Sequence, residues 1–228
     1  MYRILLSLLL LSVPCSLFTG VRRLELSDAA VVSAGETCAG LYRSLQLEGV
    51  VGWKAFRQAV TGYYKIENRR KDILTLIDFS RPSTEERLFV IDMKRRELLF
   101  SSVVSHGRNS GGNYATSFSN EYGSYKSSLG FYLTESTYQG KNGYSLILNG
   151  LEKGINDRAR ERAIVMHGAA YADPSVAQSG RLGRSFGCPA VPPRLSRPII
   201  DAIKGGSVMY IYAETSDYLA HSSVLRGA

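Results

Sequence analysis

The sequence predicts a mainly β domain with short helices, an α+β fold, and three observations carry that prediction. Apolar residues at strand spacing recur after Lys71, over residues 73–79, 88–92 and 98–105, with turn residues such as Arg81, Pro82 and Ser83 between the runs. Before them the spacing is helical, with Leu41, Leu45, Trp53, Phe56, Val60 and Tyr63 recurring at three- and four-residue steps. Between His106 and Ser128 lies a Gly/Ser/Asn/Tyr-rich stretch too polar for a core element, and a loop of that length in a compact domain is usually functional or mobile.

Taken in order, Arg3 precedes an apolar run from Ile4 to Val13 that Pro14 closes, the short basic start and apolar stretch of a secretory signal peptide. The run is shorter than the ~20 residues that span a bilayer. Residues 1–20 are therefore expected to be a signal peptide, with an uncleaved membrane anchor as the alternative. Residues 36–70 are expected to form an N-terminal helical segment, two short helices separated by Gly49 and Gly52, with Trp53 and its aromatic companions packed against the sheet. Residues 71–215 form the β-rich body. Its first three strands read as an antiparallel meander, and further strands are expected over 129–134, 144–148, 163–167 and 207–213. A helix over 193–204 has a proline start at Pro193 and a glycine stop at Gly205.

Composition excludes whole classes. With 228 residues, 44% hydrophobic and 21% charged, the chain is too apolar to be disordered and too polar to be a membrane bundle. The net charge of +8 favours an anionic partner such as nucleic acid, membrane or cell-wall polymer. It is spread over small clusters, Arg69 to Lys71 and Lys94 to Arg96, which read as solvated turns. If Cys15 belongs to the leader, Cys38 and Cys188 are left to form either one disulfide or one structural and one reactive thiol.

The residues that could carry chemistry are His167-Gly168, at the end of the 163–167 strand, and Cys188, 21 positions later in the run GRSFGCP. A thiol needs a neighbouring imidazole to become a nucleophile at neutral pH, and attack on a carbonyl needs donors for the oxyanion. Gly187 allows close backbone approach, so amides around Cys188 can face that developing charge. A Cys/His pair at arbitrary spacing is weakly specific. Cys188 nevertheless lies between a glycine and a proline in a small-residue turn, whereas Cys38 lies in a helical stretch, so Cys188 is expected to be an unbridged thiol of low pKa. No metal is expected: around His106, His167 and Cys188 no carboxylate or further cysteine stands at ligand spacing. Gly180, Gly183 and Gly187 lack the strand-turn-helix context of a dinucleotide loop. Tyr114, Phe118, Tyr122, Tyr125, Tyr132, Tyr138 and Tyr144 could line a groove for a glycan or peptide, or simply pack the sheet.

These motifs resemble the YkuD-like murein L,D-transpeptidase catalytic domain, in particular the branch ending in GRS-x-GCP. The likeness continues through SHGRNSGG at 105–112, FSN at 118–120, SSLGFYLT at 127–134, GLEKGIND at 150–157 and IVMHGAAY at 164–171. The resemblance implies Cys188 as acylated nucleophile, His167 as base, the Gly168 carbonyl as the group orienting the imidazole, and the amides of Gly187 and Cys188 as oxyanion donors. The better-known branch has a second His where this chain has Phe186, and an Arg where it has Ala190. Arg184 is the expected replacement as carboxylate partner, with Ser185, Tyr171 and His106 as further substrate-binding residues. The implied reaction is acyl transfer on peptidoglycan stem peptides through a thioester, without a cofactor or nucleic acid, in the periplasm or cell envelope. Membrane contact is expected only through an uncleaved leader. Water as acceptor would make the same site an L,D-carboxypeptidase, and a fold that had lost its chemistry would be a cell-wall-binding module.

Overall fold

A computed structural model describes residues 37–226; the expected leader over residues 1–20 lies outside them. Helix α1 (Cys38–Ser44) opens at Thr37, whose hydroxyl accepts the Gly40 N–H at 3.1 Å. Helix α2 (Trp53–Lys65) turns Ala55, Phe56, Ala59, Val60 and Tyr63 inward, the apolar stripe expected of its sequence. Trp53 corrects that expectation: it is 42% exposed and meets Tyr42 of α1 edge-on at 5.2 Å, because it stands at the open N-terminal end of α2. Gly62 is where α2 approaches the sheet most closely. A methyl group there would lie 2.0 Å from the ring of Phe131, which stacks in turn on Tyr210 at 4.2 Å.

The described residues form one eight-stranded mixed sheet, ordered β3-β2-β1-β8-β4-β5-β6-β7. The strands are β1 (Ile73–Asp78), β2 (Leu88–Asp92), β3 (Glu97–Ser102), β4 (Gly130–Gly140), β5 (Gly143–Gly150), β6 (Val165–Gly168), β7 (Ala190–Val191) and β8 (Val208–Tyr212). The first three form the expected antiparallel meander. Strand β8 lies parallel to β1, Leu74 opposite Val208, and antiparallel to β4, so it joins the two halves of the sheet. Beyond β3 the chain bridges Ser105 to Ala190 and Gly107 to Ser185. The two sheet edges therefore meet, and the sheet is nearly closed at a seam between β3 and β7.

Several boundaries move. Strand β4 runs to Gly140 rather than 134 and pairs with β5 across a register shift. Strand β6 starts at Val165 rather than 163, because Ala163 has a φ of 55° and breaks the extended path. Strand β7 has only two residues, too few to show a period. Helix α4 (Pro193–Ile203) buries Ile199, Ile200 and Ile203 against the sheet, as its sequence predicts, while α3 (Pro174–Ala177) and α5 (Ser216–His221) were not anticipated. From Val103 to Leu129 there is no named helix or strand, as expected of that polar stretch.

One hydrophobic core runs from Leu41 in α1 to Tyr218 in α5. Beneath it Glu152 is wholly buried and accepts from Phe131 N–H at 2.8 Å, Tyr218 O–H at 2.9 Å and the Ser222 hydroxyl. Asn156 reaches back to the Leu129 and Phe131 carbonyls at 2.9 and 3.0 Å. The 150–157 motif is thus a polar staple holding α5 to β4.

Candidate active site

At the seam a cleft of about 450 Å³ is lined by Tyr122, Tyr125, Arg162, Ala163, His167, Tyr171, Arg184, Ser185, Phe186 and Cys188, among others. The backbone brings His167 and Cys188 into this one cleft. His167 sits on β6 opposite Ala190 of β7, and Cys188 lies two residues before Ala190. No disulfide joins Cys188 to Cys38, which is buried in α1.

The imidazole is fixed. Nδ1 of His167 lies 3.0 Å from the Gly168 carbonyl; a carbonyl can only accept, so the proton is on Nδ1 and Nε2 keeps its lone pair. Burial holds the His167 pKa below its ordinary value, with the Gly168 carbonyl pulling the other way, so the ring is a neutral base at pH 7. Gly168 is itself constrained, since a Cβ there would strike Ser196 Oγ at 2.7 Å.

The thiol departs from expectation. Sγ of Cys188 is half-buried, 3.5 Å from Val165 N and 3.7 Å from Ala163 O. Burial pushes its pKa up, while the Val165 N–H and the Arg162 charge draw it down. The direction is opposite to the low pKa anticipated, and the thiol shares its cleft with the neutral His167 ring.

Gly187 also differs from its expected role. Its φ of 126° and a notional Cβ only 2.8 Å from the Lys126 carbonyl explain the glycine. Its N–H, however, donates to Ser185 Oγ at 3.0 Å, so that amide is engaged within the loop. Ser185 in turn donates to the Cys188 carbonyl at 2.6 Å, and Ser127 donates to the Gly187 carbonyl at 3.1 Å. The Cys188 loop is held on both sides by hydroxyls.

Arg184 lines the cleft while its Nη1 donates to the carbonyls of Arg108 and Gly111 at 3.0 and 2.8 Å, bracing the 105–112 loop. Tyr171 is half-buried against the cleft, its hydroxyl pKa pushed up to about 12 by burial and by the Cys188 charge. His106 is a correction. It is wholly buried and does not line the cleft; Nδ1 accepts from Arg87 Nη2 at 2.8 Å. Burial and the adjacent Arg87 cation drive its pKa down to about 4. It is an interior strut, not a substrate contact. Of the tyrosines offered for a groove, Tyr122 and Tyr125 line the cleft, whereas Tyr132 is wholly buried in the sheet.

Sequence reasoning missed Arg162. Its guanidinium donates to the Ser119 carbonyl (2.7 Å), Ser128 Oγ (2.6 Å), Lys126 carbonyl (2.6 Å) and Ser124 Oγ (3.2 Å). In RARERA, Arg162 reads as one charge of a solvated face, and the burial that sets it apart leaves no mark at that spacing.

A nearly closed mixed sheet with a thiol and an imidazole in a cleft at its seam is the YkuD-like fold. The chain belongs to the L,D-transpeptidase catalytic domain family, whose model matches residues 48–212 and so includes every cleft residue named above. Similar solved structures include an L,D-transpeptidase from Mycobacterium smegmatis, 14% identical over 62% of this chain and 59% of that one, with a TM-score of 0.39. An L,D-transpeptidase from Stackebrandtia nassauensis is 14% identical over 82% and 88%, TM-score 0.37. The helical cell shape determining protein Pgp2 from Campylobacter jejuni is 12% identical over 70% and 57%, TM-score 0.42. The match spans less than two thirds of the M. smegmatis chain. No curated protein sequence matches the chain.

Proposed function

We propose that the protein is a cysteine-dependent L,D-transpeptidase acting on peptidoglycan stem peptides. The observation that supports this most directly is the Cys188 thiol in one cleft with a His167 ring whose Nδ1 is fixed on the Gly168 carbonyl. Nε2 of His167 takes the thiol proton as Sγ attacks the carbonyl of the third stem residue. The tetrahedral intermediate collapses as the C–N bond to terminal D-alanine breaks, and the leaving amine receives that proton from the imidazolium. The amine of a second stem then attacks the thioester and gives a proton to His167; as the new amide forms the C–S bond breaks, and the Cys188 sulfur leaves with that proton as the regenerated thiol. Arg184, still carrying N–H groups beyond Nη1, is positioned to meet the substrate carboxylate, with Ser185 holding the nucleophile loop and Tyr171 forming a wall. A peptidoglycan substrate places this reaction in the cell envelope.

Intact-protein mass spectrometry with a defined tetrapeptide muropeptide tests the reading. A Cys188-linked acyl adduct is expected together with release of D-alanine, and neither is expected in Cys188→Ser. Product analysis then separates the acceptors: a cross-linked dimer marks a stem amine, and a tripeptide marks water. D-alanine release that persists in Cys188→Ser would overturn the assignment.

A further inference from the structure

Arg162 lines the cleft and binds the 119–128 loop, and nothing in the reaction just described uses it. It sits at the end of a helical turn closed by Ala163 N–H to Arg160 O (3.1 Å) and Ile164 N–H to Ala159 O (2.9 Å), with Ala163 in the left-handed region at φ 55°. This double closure is that of a helix C-terminus in which glycine usually takes the left-handed position. Here the alanine carbonyl faces the Cys188 sulfur at 3.7 Å. The turn is therefore rigid where it carries Arg162, and it aims the guanidinium back under the 119–128 loop.

We propose that Arg162 is a positioning residue for the transfer reaction, holding the 119–128 wall of the cleft in place and providing a fixed positive charge in the cleft that the Cys188 sulfur lines. The proposal rests on the reading of Cys188 as the nucleophile. Four bonds from one half-buried guanidinium, to two carbonyls and two hydroxyls of residues 119–128, leave that segment little freedom. The segment carries Tyr122 and Tyr125 into the cleft. Tyr125 in turn packs on Phe186 at 4.8 Å, with the Arg108 guanidinium over both rings. The position that holds a histidine in the better-known branch is thus part of an aromatic rim resting on the wall that Arg162 holds. On its other side the Arg162 Nη2 would lie 3.4 Å from a methyl placed on Gly187, the residue preceding Cys188. The ionisable or charged groups lining the cleft around the thiol are Arg162 from the turn, His167 from β6, Tyr171 after it, Tyr122 and Tyr125 from the loop, and Arg184 from the nucleophile loop. His167 is neutral at pH 7, and Tyr171, its hydroxyl pushed up to about 12, is un-ionised. The fixed cations are Arg162 and Arg184, and of these Arg162 is the one whose charge pulls the thiol down.

The experiment is the pH dependence of Cys188 alkylation by iodoacetamide, a small neutral probe, read by mass spectrometry in the wild type, Arg162→Lys and Arg162→Gln. Circular dichroism and a melting curve accompany each variant. Arg162→Gln is expected to move the alkylation midpoint to higher pH by about one unit or more, the size of effect an adjacent opposite charge exerts. Arg162→Lys keeps the charge and loses the fork, so its midpoint is expected to stay near the wild type while KM for muropeptide rises severalfold. A merely structural arginine would lower the melting temperature in both variants and shift neither midpoint, and that outcome would overturn the proposal. A midpoint shift that Arg162→Lys shares in full would overturn its electrostatic part. Because alkylation is read without turnover, its result is independent of whether Cys188→Ser abolishes acyl transfer, so failure here and failure of the nucleophile assignment are distinguishable.

Discussion

At the scale of single residues, the reactive pair sets the pH response. In the proposed reaction His167 serves as base only when neutral, and burial holds its pKa below the ordinary 6.5. Activity is therefore expected to be intact at pH 7 and to fall on acidification below pH 6.5, as the ring takes a proton. A kcat/KM profile checks this, and an acid limb centred above 6.5 would mean that another group is titrating. Replacing the ring, His167→Ala, removes general base assistance and is expected to lower kcat/KM by about 10² to 10⁴-fold with an unchanged circular dichroism spectrum. Both residues were legible in the sequence because the backbone chemistry around them is local: a strand-end His-Gly and a Gly-Cys-Pro turn. The protonation state of the thiol was not, since it depends on burial beneath the Ala163 to Val165 segment, more than twenty positions away. His106 misled for the same reason. Its partner Arg87 stands 19 positions earlier, just before β2, and a histidine beside a glycine-rich loop looks the same whether it faces solvent or the interior.

At the scale of elements, α2 and β4 are fitted through Gly62. Gly62→Ala gains about 1 kcal/mol of helix propensity but drives a methyl into the Phe131 ring, and overpacking of this kind costs about 1 to 3 kcal/mol. The ring cannot retreat, because Tyr210 is stacked behind it. The cost is expected to win, lowering the melting temperature, and Phe131→Leu in the same chain is expected to recover part of the loss. A Gly62→Ala protein more stable than wild type would show that helix and sheet part freely. Strands β1 to β3 and helix α4 could be read from their periods, because each has enough residues to display one face. The β7 pair could not, having two residues whose place is set by β6 and by the bridge to Ser105. That shortest strand fixes the register that places Cys188 in the cleft with His167.

For the whole molecule, stability should depend on acid through His106 as well as on packing. Its folded pKa of about 4 lies below the ordinary 6.5, so between these values the unfolded chain takes up a proton that the folded one refuses. Its contribution is complete above pH 6.5 and is lost as pH falls toward 4, a change of about 3 kcal/mol. Urea midpoints at pH 7 and pH 4.5 measure it, and His106→Asn is expected to flatten the dependence. An unaltered pH slope in that variant would place the acid sensitivity elsewhere. The position of β8 has a further consequence, for the order in which the protein can be made. Between β1 and β4 the sheet has no direct ladder; both pair with β8, whose residues are almost the last of the body to leave the ribosome. A nascent chain can assemble the β1–β3 meander and the β4–β5 hairpin separately, yet it cannot join them until residue 212 is available. A polypeptide stopped short of β8 is held as two unjoined β pieces, so the sheet closes in one late step.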